Sequence, residues 1–270
     1  MNKPKSGEPV DLSRHMLATY QTLRIVLFAI ALIFPWALWI GGSISEDHLE
    51  LQGSMSAYYH ANAISDREFS SAKREQREPQ KALLDPGRGV MRNWFVGALF
   101  AIGALLIVYK GYRPAEDIAL NLAGVFAVLV ALFPMAWDED GPPFHYIFAI
   151  SFFVCIAYVC TICASATLPL VAHNDRRAYY RRCYKGLGYA MVASPITASV
   201  LSWLGPRGRY LFVAESCGVY AFAAYWLVKT IEIRDTDADA KAARGELQLP
   251  AGAGLADAVR DTPVIRVENV

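Results

Sequence analysis

Charged residues are scarce in this chain of 270 residues, where Asp, Glu, Lys and Arg together make up 19% and hydrophobic residues 54%. Some long segments lack these four residue types altogether, and no Asp, Glu, Lys or Arg occurs between Asp140 and Asp175. A soluble domain of this length would carry more charge and would interrupt its apolar runs. The composition therefore argues against an ordinary soluble domain and indicates segments that lie in hydrocarbon.

The sequence also lacks a surplus of charge of either sign, since 26 basic residues face 25 acidic ones. A net charge of +1 gives no argument for or against nucleic acid, and the basic run at 176–185 is better explained as a topology signal that contacts anionic lipid headgroups. We therefore predict membrane lipids as partners and no nucleic acid. The five cysteines are odd in number and mostly lie in apolar segments, so no disulfide framework is predicted.

Six apolar segments have about the length that a membrane-spanning helix needs. A helix rises about 1.5 Å per residue, so that roughly 17–25 residues cross the hydrocarbon core. The segments are Ile25–Gly42, Asn93–Tyr109, Ile118–Trp137, Phe144–Leu168, Gly186–Leu204 and Tyr210–Val228. They predict an all-α polytopic membrane protein built as a bundle of six transmembrane helices.

Basic residues predict the orientation of these spans. One side would hold Lys3, Lys5, Arg14, Lys110, Arg113, Arg176, Arg177, Arg181, Arg182, Lys185, Lys229 and Arg234. The two short loops on the other side hold only Arg207 and Arg209, although the long loop before the second span carries basic and acidic residues together. By the positive-inside rule, both termini are predicted to be cytoplasmic and the protein to lie in the cell membrane.

The domain organisation follows from the same pattern. Residues 1–24 would form a cytoplasmic N-terminal segment, 25–230 the transmembrane domain and 231–270 a flexible cytoplasmic tail. A polar stretch at about 61–92 is typical of an insertion in an outer loop. The first span contains Pro35, Trp36 and Trp39 and has no clear cleavage site, which favours a retained anchor over a signal peptide.

Small residues at helical spacing predict where the helices pack, because lipid gives helices no hydrophobic reason to associate. The predicted seams are Gly97, Ala101 and Ala104 in the second span, Ala123, Ala127 and Ala131 in the third, and Gly218, Ala221 and Ala224 in the sixth. Pro195 interrupts the fifth span beside Ser194, Thr197 and Ser199, whose hydroxyls can satisfy the carbonyls that a proline frees.

Polar residues from distant parts of the chain are predicted to converge on the outer side. Glu215 lies within the sixth span, where an ionisable group favours a functional interpretation. The candidate ligand-binding residues are Ser56, His60, Arg92, Asn93, Asp138, Asp140, His145 and Glu215. We predict that they form an outward-facing site for a lipid or a small ligand.

Three alternatives remain open at this point. His60, Asp138 (or Asp140), His145 and Glu215 have the ligand types of a zinc site, which would make the protein a metal-dependent membrane hydrolase or acyltransferase that acts on lipid. A small proton-coupled transporter would use Pro195 for gating and Glu215 for coupling. In the structural alternative, the loop residues are merely solvated and Glu215 pairs with Arg92 or Arg209 to fix helix registry.

Several stretches resemble a group of uncharacterised bacterial six-span membrane proteins. They are SMSAYYH, RNWFVGALFAIGALLIVYKGY, LAGVFAVLVALFP, HYIFAISFF, and ES with AFAAYWLVKTIEI, which together cover the second to sixth spans. That group is distantly similar to the eukaryotic DRAM, Frag and Sfk membrane proteins, some of which are linked to lipid or GPI-anchor handling. The resemblance implies that His145 and Glu215 are the polar positions that carry the pattern.

A fainter resemblance links the chain to the ceramidase and adiponectin-receptor hydrolases, in which Ser, Asp and three His residues build a zinc site. Ser56, His60, Asp138 and His145 are similar to part of that set. The chain lacks a predicted seventh span and the paired histidines that such a span would supply. The resemblance therefore implies zinc as a candidate cofactor without the complete ligand set.

Overall fold

The computed structural model describes residues 12–44, 51–59, 90–135, 143–204, 210–247 and 249. Six long helices contain most of these residues: α1 Leu12–Ile44, α2 Val90–Val108, α3 Pro114–Leu132, α4 Phe144–Thr161, α5 Asn174–Leu204 and α6 Tyr210–Thr236. A short helix, α7, covers Ala238–Ala243, and 3-10 segments cover Ser56–Tyr59 and Cys163–Leu170. The described residues contain no β-strand. The prediction of an all-helical chain is confirmed for this part.

The six long helices form a closed ring. Each packs against the next one along the chain, and α1 also packs against α6. Five segments are long and apolar enough to cross a membrane: His15–Ile44, Val90–Val108, Pro114–Leu132, Phe144–Leu170 and Tyr210–Thr236. These segments make the chain a polytopic helical membrane protein. α5 is not among the five, since its first third is strongly basic and Ser194, Pro195 and Thr197 dilute its apolar part.

Three boundaries differ from those that the apolar runs predict. α1 begins at Leu12, well before Ile25. The basic run at 176–185 precedes the fifth apolar segment and is expected to lie in a loop. It instead belongs to the first part of α5, which begins at Asn174. α6 continues to Thr236, and α7 follows it and contacts α1. Charged residues ended the apolar runs without ending the helices, because Lys, Arg and Glu are good helix formers.

The α2–α3 contact is a close approach of two glycines. A Cβ atom on Gly103 would lie 2.8 Å from the carbonyl oxygen of Gly124, and one on Gly124 would lie 2.6 Å from that of Gly103. Ala123, Ala127 and Ala131 are buried along the same face of α3, as predicted. The seam predicted for α2 was wrong: a Cβ on Gly97 would meet no atom within 4 Å, and Ala104 is exposed. The packing residue is Gly103, one position from the predicted stripe.

The described tryptophans occupy two environments. Trp36, Trp39 and Trp94 expose about half of their side chains (49%, 42% and 57%), as interface residues do. Trp226 is fully buried and packs edge-on against Tyr109, Phe222 and Tyr225. It belongs to the core and is no marker of an interface. Trp137 and the side chain of Trp203 lie outside the described residues.

Candidate ligand-binding site

The segment 51–59 closes one end of the helix ring, and we call this end the Ser54 end. Tyr58 is fully buried against Phe212, with ring centroids 6.0 Å apart. The backbone N–H of Phe212, in the first turn of α6, donates to the carbonyl of Gly53 at 3.0 Å. An aromatic anchor and a helix N–H that lacks a partner within its own helix thus fix this segment to the start of α6.

Glu215 lies one turn further along α6 and binds the same segment. Ser54 Oγ is 2.8 and 2.9 Å from its two carboxylate oxygens, and the backbone N–H of Met55 donates to Oε2 at 2.6 Å. The hydrogen bonds that Glu215 receives from the described residues come from neutral donors, and none of its contacts there is an ion pair. Arg209, one predicted partner, lies outside the described residues. The carboxylate is thus held in place without its charge being neutralised within this part of the structure.

His145, in the first turn of α4, forms a second polar contact at the Ser54 end. Its Nδ1 is 2.9 Å from the carbonyl oxygen of Phe133, and its Nε2 is 2.7 Å from Ser56 Oγ. A carbonyl can only accept, so we assign the ring proton to Nδ1. In the neutral ring, Nε2 then accepts the hydroxyl proton of Ser56. The imidazole is 3% exposed and its orientation is therefore well fixed.

A short hydrogen-bonded path joins these two contacts. The backbone N–H of Ser56 donates to Ser54 Oγ at 3.1 Å, and Ser54 Oγ in turn contacts Glu215. The path therefore runs from Phe133 on one wall, through His145 and Ser56, to Glu215 on the opposite wall. Two residues of one short segment bring together an imidazole and a carboxylate that are 70 positions apart in the sequence.

This polar path lines one end of a cavity of about 550 Å³ inside the helix ring. The walls are largely apolar and come from all six long helices; their members include Phe34, Phe95, Leu99, Ile102, Val130, Ala149, Phe153, Val219 and Phe222. The polar side chains in the lining are Ser54, Ser56, His145, Ser194, Ser199 and Glu215. A cavity of this size holds a molecule the size of a drug or a lipid tail, and its polar groups are concentrated where they can orient a ligand.

The cavity reaches the outer surface of the ring between α4 and α5. Tyr146 and Ile150 line it from α4 and are nevertheless 48% and 42% exposed. Pro195 and Ser199 line it from α5. Since the outer surface of a transmembrane ring faces lipid, this gap would connect the cavity laterally with the bilayer.

The hydroxyls of Ser194 and Ser199 make contacts other than the predicted one, because the carbonyl that Pro195 leaves without a helix partner is that of Met191. Ser199 Oγ donates to the carbonyl of Pro195 at 2.8 Å, within α5. Ser194 Oγ donates instead to the carbonyl of Ala214 on α6 at 2.7 Å, and a Cβ on Gly218 would lie 2.5 Å from this hydroxyl. Ser194 therefore links α5 to α6 and does not satisfy a carbonyl within α5. The gating role of Pro195 and the coupling role of Glu215 in a transporter stay predictions.

The structure brings together three of the eight candidate residues. Ser56, His145 and Glu215 line the cavity, whereas Arg92 is half-buried and Asn93 exposed at the start of α2, and neither lines it. His60, Asp138 and Asp140 lie outside the described residues. The sequence analysis missed Ser54, the Met55 amide and the Phe133 carbonyl, which are the direct partners of Glu215 and His145. The motif SMS, with two serines two residues apart before an aromatic anchor, is the only signal that pointed to them.

The zinc hypothesis stays a prediction. The described residues contain no group of three or more His, Cys, Asp or Glu side chains that could hold a metal ion. Both ring nitrogens of His145 are already hydrogen-bonded, so a metal would have to displace Ser56 from Nε2. His60 and Asp138, the other two proposed ligands besides Glu215, are outside the described residues. Elemental analysis of purified protein with less than about a tenth of an equivalent of zinc would contradict it.

A second polar cluster, which the sequence analysis missed, lies at the other end of the ring. Lys229 Nζ donates to Thr167 at 2.7 Å and to Glu232 Oε2 at 2.9 Å, and the Tyr184 hydroxyl donates to the same Glu232 oxygen at 2.6 Å. The side chains of Lys229 and Glu232 are 1% and 0% exposed. We call this end the Lys229 end. Its two charged residues lie on the last turns of α6, beyond Val228, where the apolar run ends.

Next to this cluster, α7 is fastened to α1. Arg24 Nη2 donates to Asp239 Oδ2 at 2.5 Å, and the hydroxyl of Tyr112 donates to Oδ1 of the same carboxylate. Burial, together with Tyr109 and Asp239 nearby, raises the pKa of Tyr112 well above its ordinary value, so this hydroxyl stays a neutral donor. The Tyr109 hydroxyl accepts a longer hydrogen bond, 3.4 Å, from Arg24 Nη1.

The apolar helices and the cavity with one polar end define an integral, polytopic membrane protein with an internal ligand-sized site. Comparisons of the chain with protein-family models, with curated proteins and with solved structures give no match. The class of protein therefore rests on the geometry described above.

Proposed function

We propose that this membrane protein binds an amphiphile, with the apolar chain in the cavity and the polar head at Ser54, Ser56, His145 and Glu215. The observation that supports this most directly is the distribution of polarity within the cavity, which is apolar along most of its wall and hydrogen-bonding at one end. An amphiphile has the same distribution. A small polar solute would leave most of the cavity wall without a partner.

The charge of the site favours a head that carries an ammonium group or hydroxyls. Glu215 is ionisable and binds only neutral donors among the described residues, and none of the described residues that line the cavity is Lys or Arg. A bound ammonium would supply a positive charge in a medium of low dielectric, where such a pairing counts for more than in water. A purely anionic head would be repelled by the same carboxylate.

The gap between α4 and α5 supplies an entry path from the bilayer. A lipid would enter sideways past Tyr146 and Ile150 and would not have to leave the membrane. In this proposal α5 also crosses the membrane, as the fifth of six spans. The Ser54 end faces the outer side, as the short basic loops at the opposite side predict. The head of the ligand would then lie at the level of the outer leaflet.

The test uses the full chain in nanodiscs made from equal amounts of phosphatidylethanolamine and phosphatidylglycerol. Native mass spectrometry of the released protein should show retained phosphatidylethanolamine in preference to phosphatidylglycerol. Glu215→Gln keeps the shape and the Ser54 contact but removes the charge, and it should abolish the preference. Glu246→Gln changes an exposed carboxylate far from the cavity and is the matched control.

Three outcomes would overturn the proposal. The first is a wild-type protein that retains no lipid in the native spectrum, and the second is one that retains both lipids equally. The third is a Glu215→Gln variant that keeps the full preference of the wild type. Any of these results would leave the carboxylate as a structural partner of the 51–59 segment only.

A further inference from the structure

We propose that Ser56 is a nucleophile activated by His145, and that the protein transfers the acyl group of an ester amphiphile through an acyl-Ser56 intermediate. This inference rests on the proposed function, because the ester would occupy the same cavity with its chain among the apolar side chains. It adds a reaction to what is otherwise a binding site. No metal ion takes part in it.

The geometry of the Ser56–His145 pair is that of an activated hydroxyl. Ser56 Oγ and His145 Nε2 are 2.7 Å apart, within the reach that a nucleophile and its general base require. The carbonyl of Phe133 accepts from Nδ1 at 2.9 Å and fixes the tautomer in which Nε2 accepts the proton of Ser56. A backbone carbonyl here takes the orienting role that a carboxylate has in the familiar serine triad.

The position of the pair suits an ester at the boundary between head and chain. Both residues line the cavity, and both lie at the end where its polar groups are concentrated. His145 is 3% exposed, so that bulk water does not compete for its Nε2. The glycerol esters of a phospholipid lie between its head and its chains, so an ester that reaches Ser56 would place its chains along the apolar wall.

The proposed reaction has two balanced steps. In the first, Ser56 Oγ attacks the ester carbonyl while its proton passes to His145 Nε2, and the alcohol leaves with that proton as the tetrahedral intermediate collapses. In the second, water or an acceptor alcohol loses a proton to Nε2 and attacks the acyl-Ser56 ester. The Ser56 oxygen then recovers the proton from His145.

The hydrogen bond to His145 is not needed to hold the 51–59 segment in place. The segment is already fixed by Glu215, through Ser54 and Met55, and by the Phe212 N–H at the Gly53 carbonyl. The buried ring of Tyr58 adds an apolar anchor. A purely structural role for the Ser56 hydroxyl would therefore duplicate contacts that the segment has.

The test treats the full chain in detergent micelles with a long-chain fluorophosphonate, which reacts with activated serines. Peptide mass spectrometry should find the adduct on Ser56, and the protein should also hydrolyse p-nitrophenyl dodecanoate. Ser56→Ala should abolish both signals, and His145→Gln should slow labelling by about 100-fold or more. Ser165→Ala, which removes a hydroxyl bonded locally to Ile162 in the 3-10 segment, should label as the wild type does.

A Ser56→Cys variant keeps the test decisive if Ser56→Ala does not fold. The His145 imidazole should deprotonate the new thiol, so that iodoacetamide alkylates it faster than the native Cys183 in the basic first part of α5. Alkylation no faster than that of Cys183, or a folded wild type without an adduct on Ser56, would overturn the acyl-transfer proposal. Retained phosphatidylethanolamine in the same preparation would show that binding stands without catalysis, whereas its absence would remove both proposals.

Discussion

Lys229 and Glu232 form an ion pair one helical turn apart on α6, with Nζ and Oε2 separated by 2.9 Å and both side chains almost completely buried. Lys229 also lies 5.6 and 5.5 Å from the ring centroids of Tyr112 and Tyr184. The ammonium is thus surrounded by a carboxylate, a hydroxyl and two aromatic faces. Such a site stabilises the charge only as long as every partner is present.

Lys229→Met should destabilise the protein more than any single surface substitution. It leaves Glu232 as a buried charge without its cation, which costs about 3–5 kcal/mol. Thermal unfolding in detergent micelles measures the loss, and Arg244→Met, which breaks the exposed Arg244–Glu246 pair, should change stability by less than about 1 kcal/mol. The double variant Lys229→Met/Glu232→Gln should recover part of the loss. Strictly additive effects of the two substitutions would contradict the coupling.

Gly103→Ala should destabilise the α2–α3 contact. Its Cβ would lie 2.8 Å from the Gly124 carbonyl oxygen and equally close to Val128, and backbone cannot move aside cheaply. Overpacking of this kind costs about 1–3 kcal/mol. Gly97→Ala on the same helix meets no atom within 4 Å and should be neutral or slightly stabilising. Equal melting temperatures for the two variants would show that α2 and α3 do not pack through these glycines.

Asp239→Asn should loosen α7 from the rest of the protein. It removes the charge that faces the guanidinium of Arg24, which is 1% exposed. We expect faster proteolysis at the C-terminal side of α6 and a lower melting temperature. Asp237→Asn is the control, because Asp237 is exposed and adopts a φ of 51°, a conformation that Asn tolerates equally well. If both variants are cleaved at the same rate, the Arg24–Asp239 pair does not hold α7.

Much of the fold was predictable from the apolar runs, because a helix in lipid must satisfy all its backbone groups within a long uninterrupted segment. The runs located the cores of the six helices, yet they missed the ends. Lys229 and Glu232 interrupt the hydropathy of α6 but belong to its buried face. A hydropathy value reflects the free energy of transferring a side chain from water to lipid. It does not record that a neighbouring side chain on the same helix neutralises it.

The candidate site was predictable only as a list of residue types. Glu215 and His145 stood out since ionisable groups in apolar segments are costly. Their partners did not stand out, because Met55 and Phe133 contribute backbone atoms, which no side-chain pattern reveals. Ser54 was visible, but its position between Ser56 and Glu215 depends on Tyr58 anchoring the segment. The tertiary fold decides such a position.

The topology of the six helices is testable with reporter fusions that end at described residues. Alkaline phosphatase should be active after Met135 and Leu204, and a fluorescent protein should fluoresce after Tyr112, His173 and Gly245. This alternation follows from six crossings with the basic start of α5 on the cytoplasmic side. The fusions at His173 and Leu204 matter most, because they flank α5. This long helix is not among the five segments that are long and apolar enough to cross a membrane. If both fusions report the same side, α5 does not cross the membrane. If the fusion at Met135 reports the cytoplasm, the Ser54 end does not face outwards.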